Sequence, residues 1–207
     1  MGARRLLRLL AVALVGAACA GRAGAAEVRG RLVVDVPGLD IGDVGPVVVY
    51  LEAPPSAAAD GPAPAAQIIR QRNALFSPPF LTVARGQTVE MPNDDDIFHN
   101  VFSFSAPNEF DLGFYPAGHS RSVRFLHPGV VRIYCSIHES MNATIFVAPT
   151  PWFARADAGG RFAIPGVPEG RWRLRTWSEM LPATERMLEV GPGVTALEIG
   201  LMEPGGP

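Results

Sequence analysis

Apolar and polar residues alternate along almost every readable segment of this chain, the two-residue period of a half-buried β-strand. Val28, Gly30, Leu32, Val34 and Val36 fall on one face, with Arg29, Arg31 and Asp35 on the other. "PVVVYLEA" is a second, β-branched strand, and the Pro- and Ala-rich stretch Pro54 to Ala65 reads as a linker. From Gln67 to Ala148 short strands recur between turn signals: "IIRQRNALFSP", "FLTVARG", "QTVEMPNDD", "HNVFSFS", "SRSVRFL", "GVVRIYC" and "NATIFVA". The remainder continues with "WFARAD", "RFAIPGV", "RWRLRTW" and "TALEIGLM", where Trp172, Leu174 and Thr176 alternate with Arg171, Arg173 and Arg175. This spacing predicts an all-β chain built as antiparallel sandwiches or barrels. With 20 Pro and 22 Gly in 207 residues, turns are frequent and long helices are not expected.

The N-terminus departs from this pattern. Arg4, Arg5 and Arg8 precede an apolar stretch from Leu9 to Ala20 and a small-residue run ending in Ala25 and Ala26. That is the form of a secretory signal peptide over residues 1–26, with cleavage near Ala25 or Ala26. Cys19 follows "VGAA", but Gly16 stands where a lipoprotein site carries Leu, so cleavage is favoured over lipid attachment. The apolar stretch is shorter than the roughly 20 residues a membrane helix needs, and no later segment approaches that length. A periplasmic or otherwise exported protein is expected. All 18 basic residues are Arg, and removing residues 1–26 takes four of them and no acid, so the formal charge moves from −2 to 14 − 20 = −6. An acidic mature chain argues against nucleic acid and anionic membrane as partners.

Only two cysteines are present, and loss of Cys19 leaves Cys135 unpaired in an oxidising compartment, where metal ligation is a good reason for a lone thiol. "YCSIHESM" puts Cys135, His138 and Met141 on one tight loop between two strands, and "NDDDIFHNV" supplies His99 at the junction of a polar turn and an apolar strand. Thiolate and thioether sulfur suit Cu(I) and imidazole suits Cu(II), and a trigonal blue-copper site takes two His, one Cys and a weak axial Met. "MPNDDDIFHNVFSFS" followed by "PGVVRIYCSIHESM" resembles the copper-binding segments of the cupredoxin family of plastocyanin, pseudoazurin and amicyanin. The resemblance implies a Greek-key sandwich over residues 67–148, one type 1 copper ion, His99, Cys135 and His138 as equatorial ligands, and Met141 as axial ligand. It also implies that Asn100 tightens the ligand loop by hydrogen bonding, and that His138 is the exposed ligand through which electrons leave.

Other residues read as ordinary. His119 and His127 sit in turns and are expected at the surface. Asp94, Asp95 and Asp96 suit a turn better than an acidic docking rim. The Asn142, Ala143, Thr144 sequon enters a strand directly after a ligand and is read as incidental. No catalysis is expected: four His with no His-x-His pair cannot supply a multicopper centre, and no G-x-S-x-G, phosphate loop or H-E-x-x-H occurs.

"FARADAGGRFAIPGVPEGRWRLRTWSE" resembles the carboxypeptidase regulatory-like, or transthyretin-like, β module, which normally begins with strands like "VRGRLVVDV" and "PVVVYLEA". Residues 27–53 and 149–203 are therefore expected to build one small β-sandwich, with residues 54–66 as linker and the copper domain inserted between its strands. A one-electron carrier serving protein redox partners as a monomer is the expected function. A copper carrier or store, or an interaction module with a vestigial site, would use the same residues.

Overall fold

A computed structural model of the chain describes residues 26–53 and 65–201. The expected leader with Cys19, most of the expected linker (residues 54–64) and residues 202–207 lie outside the described residues. Among the described residues every regular element is a strand. In chain order they are β1 (Ala26–Val34), β2 (Val48–Glu52), β3 (Gln67–Ile68), β4 (Arg70–Gln71), β5 (Phe76–Ser77), β6 (Phe80–Ala84), β7 (Thr88–Pro92), β8 (His99–Ser103) and β9 (Phe110–Tyr115). They continue with β10 (Ser120–Arg124), β11 (Gly129–Tyr134), β12 (Asn142–Ala148), β13 (Phe153–Arg155), β14 (Arg161–Val167), β15 (Gly170–Trp177), β16 (Glu185–Val190) and β17 (Val194–Leu201). No helix among the described residues is long and apolar enough to cross a membrane.

Two sandwiches result, so the all-β class read from the alternation holds. In the first, a five-stranded sheet of order β6-β12-β11-β8-β9 faces a three-stranded sheet β10-β7-β3. Their inward residues, including Val131, Ile133 and Ile145 from one and Val89 and Met91 from the other, form one buried cluster with Phe125. Most neighbours are antiparallel, while β6–β12 and β3–β7 are parallel. In the second, the sheets are β14-β1-β17 and β13-β2-β15-β16. β1 runs antiparallel to β14 and parallel to β17, and β2 lies between β13 and β15. Leu32 and Val49 from early in the chain share one core with Phe162, Trp172 and Leu174 from late in it. The alternation explains the outer face of β15: Trp172 and Leu174 are buried while Arg171 and Arg173 point to solvent. Arg173 and Arg175 are flanked across the sheet by Glu52 and Glu185.

The two sandwiches meet through aromatic rings. Phe80 and Phe146, on the outer face of the five-stranded sheet, stack on Trp177 of β15 at centroid distances of 5.5 and 5.0 Å. Tyr50 of β2 tilts against Phe146 at 5.2 Å. Arg132 of β11 reaches Glu179 at 2.7 Å beside them.

The alternation leaves two of these strands unmarked and merges three others. β9 carries a glycine at φ +61 (Gly113) that breaks its alternation, and β16 buries only Leu188 and Val190. "IIRQRNALFSP" is divided into β3, β4 and β5, because the chain reverses at Asn73 and Ala74, both with positive φ (55° and 50°). Arg72 and Leu75 exchange backbone hydrogen bonds of 2.9 and 3.2 Å across this two-residue turn. Alanine in the left-handed region costs roughly 1–2 kcal/mol, so the turn must be held from outside.

Candidate metal centre

β11 delivers the cysteine. Val131 and Ile133 point into the core, and the same alternation carried two residues on turns Cys135 inward, where it is 7% exposed. The chain then makes a tight loop: the Met141 amide donates to His138 O at 3.0 Å and the Cys135 amide to Met141 O at 3.1 Å. These bonds fold three side chains of the loop back over the end of the sandwich. Met141 is fully buried beneath it, and His138 is half-buried on top. Asn100, beside His99 on β8, accepts hydrogen bonds from the Ser136 amide (2.8 Å) and hydroxyl (2.9 Å). Asn100 thus clips the start of the loop to the strand that holds the other histidine.

His99 is the first residue of β8 and is wholly buried. Its Nδ1 and the Nδ1 of His138 each lie 3.9 Å from Cys135 Sγ. One atom of each residue lies within 4.8 Å of the others, and the imidazole centroids are 4.8 Å apart. The spacing fits a single ion. With metal–nitrogen bonds of about 2.0 Å and a metal–sulfur bond of about 2.3 Å at trigonal angles, sulfur and nitrogen donors stand about 3.7 Å apart. Among the described residues this is the one group of His, Cys and acidic side chains with that spacing. His119 and His127 are exposed.

A carboxylate decides the orientation of His99. Asp95 Oδ2 lies 2.8 Å from His99 Nε2. A carboxylate only accepts, so Nε2 carries the proton and Nδ1 keeps its lone pair on the Cys135 side. The same carboxylate accepts the amides of Asn73 and Ala74, the latter at 2.9 Å. Burial alone would raise the Asp95 carboxyl, but the Ala74 amide, the His99 imidazole and the Asn73 amide outweigh it and hold it below its ordinary value. Asn93, fully buried, aims the loop: its side-chain amide donates to Ile97 O (2.8 Å) and Tyr115 O (3.1 Å), and its Oδ1 accepts the Asp95 amide (3.1 Å). The turn expected of Asp94, Asp95 and Asp96 is there, but its acids divide their work: Asp94 pairs with Arg70, and Asp95 faces the histidine.

Below the site lies a second buried polar group that the sequence did not announce. The Tyr115 hydroxyl donates to Met91 O at 2.7 Å and accepts from Gln71 Nε2, which itself reaches Met91 O at 3.0 Å. Burial pushes the Tyr115 phenol up to about 12, against the lowering effect of Gln71 and Arg121. Tyr115 pairs with His99 across the β8–β9 ladder, so this network pins the strand that supplies the buried imidazole.

No family profile and no curated protein matches the chain. Solved structures do align with part of it. A purple cupredoxin from Nitrosopumilus maritimus is 26% identical over 41% of this chain and 100% of its own, with a TM-score of 0.35. A mutant amicyanin in its Cu(I) form is 21% identical over 48% of this chain and 97% of its own, with a TM-score of 0.37.

Proposed function

We propose that this chain is an exported, one-electron copper carrier with a single type 1 copper ion, bound by His99, Cys135 and His138 and, axially, by Met141. The observation that carries the reading is the placement of Cys135 Sγ 3.9 Å from one nitrogen of each histidine. Bound copper would supply reversible one-electron redox, and thiolate, thioether and imidazole together suit both of its oxidation states. The protein's own part is rigidity and access. His99 and Met141 are sealed in the core, so the donors move little as charge changes, while His138 reaches the surface. Next to the histidines in the chain, Ile97 and Phe98 before His99 and Ile137 before His138 are 50%, 57% and 54% exposed, apolar side chains suited to a brief encounter with a protein redox partner.

Residues 27–53 and 149–203 are read as one module carrying the copper sandwich between β2 and β13, the arrangement that the shared core of Leu32, Val49 and Leu174 supports. The test is direct. Mature protein is titrated with Cu(II), and its visible spectrum and reversible potential are recorded with and without Cys135→Ser. An intense thiolate-to-copper band that the substitution removes is the expected result. Copper binding without colour would favour a carrier or store, and absence of binding would sink both readings.

A further inference from the structure

The two-residue turn at Asn73 and Ala74 touches both segments that bear the metal ligands. On one side its amides donate to the Asp95 carboxylate that holds His99 Nε2. On the other side the Ala74 carbonyl accepts the hydroxyl of Ser140, at 3.3 Å, from the loop between His138 and Met141. β8 and the ligand loop are far apart in sequence; besides the pairing of β8 with β11 and the clip at Asn100, this turn bonds to both of their segments from outside the sheet. The turn is also unusual in itself. Neither residue is glycine, both take positive φ, and a single carboxylate accepts both of their amides. A conformation that alanine resists persists because Asp95, seated by Asn93, binds it.

We propose that the Asn73–Ala74 turn is a positioning brace common to both histidine segments: through Asp95 it fixes the tautomer and plane of His99, and through Ser140 it fixes the loop that carries His138. This rests on reading His99, Cys135 and His138 as a metal centre, but the brace is a property of the metal-free protein and can be read there.

The experiment uses the full mature chain. Nitrogen-15 spectra of the metal-free protein report the His99 tautomer, and Cu(II) titration against a competing chelator reports affinity. Three variants are compared with wild type. Ala74→Gly keeps the amide and accepts the positive φ, so it should leave the tautomer fixed and the affinity within about twofold. Ala74→Val places a β-branched residue where φ is positive and should release the turn. His99 is then expected to sample both tautomers, with affinity falling about 10- to 100-fold, the usual effect of losing a hydrogen-bond partner behind a metal ligand. Ser140→Ala alters an exposed hydroxyl, and a loss of about 2- to 10-fold is expected.

A folded Ala74→Val protein with a single His99 tautomer and wild-type affinity overturns the proposal. If Ala74→Val fails to fold, a cycle of Asp95→Asn, Ser140→Ala and their combination decides. Losses that multiply as independent factors overturn it, and a combined loss smaller than the product supports it. Should wild type bind no copper, the functional reading falls, and the tautomer of His99 in Ala74→Gly and Ala74→Val still decides the brace.

Discussion

Three donors converge on the Asp95 carboxylate: the amides of Asn73 and Ala74 and His99 Nε2. Asp95→Asn is expected to leave the fold intact and to weaken Cu(II) binding about 10- to 100-fold, measured by chelator competition, because an amide cannot accept from all three. Asp95 was not legible in the sequence: three consecutive aspartates look alike there, and the one that faces His99 is chosen by the Asn93 hydrogen bonds, which exist only once the loop has closed. Cys135, His138 and Met141 stood out as candidates because one short loop holds all three, and His99 because it stands where a polar turn enters an apolar strand. Tyr115 gives a prediction in pH. Its folded value of about 12 lies above the ordinary 10.0, so the folded state holds its proton more tightly than the unfolded state. That contribution to stability is complete below pH 10 and is lost as pH rises through about 12. Alkaline denaturation should therefore be steeper between these limits in wild type than in Tyr115→Phe, and ultraviolet titration of the variant should lack the phase near pH 12.

Strands whose alternation is unbroken were legible as elements: β15 shows on its surface the arginines, and in its core the Trp and Leu, that its sequence assigns there. β9 and β16 escaped because a bulge or a mostly exposed edge removes the period, and the β4–β5 reversal escaped because Asn and Ala do not advertise a left-handed turn as Asn-Gly does. Partner choice was not legible either. β1 pairs with β17 in parallel, a register set by closure of the second core rather than by anything local. Gly30 permits this closure, since a Cβ there would collide with Leu197 O and stand 2.9 Å from the Phe162 ring. Gly30→Ala is expected to destabilise the protein by about 1–3 kcal/mol or more, seen as a lowered thermal midpoint, without altering the copper spectrum.

At the scale of the molecule, the two sandwiches are joined by the stack of Phe80, Phe146 and Trp177 and by the Arg132–Glu179 pair. Trp177→Ala removes the ring common to both stacked pairs. Loss of up to about 3 kcal/mol is expected, with the two halves melting in separate steps by calorimetry and the copper band unchanged. The exposed ion pair should matter far less, and Glu179→Gln should shift the midpoint little.

The pairing of β1 and β2 with strands more than a hundred residues later fixes an order of events during synthesis. As the chain emerges from N- to C-terminus, the first sandwich has all its strands in hand while β1 and β2 still have no partners. Those two early strands stay unpaired, with Val28, Leu32 and Leu51 open to water, until β13 to β17 arrive. The vulnerable interval for aggregation therefore belongs to the N-terminal strands, and a holding chaperone would find its apolar segments there rather than in the first sandwich.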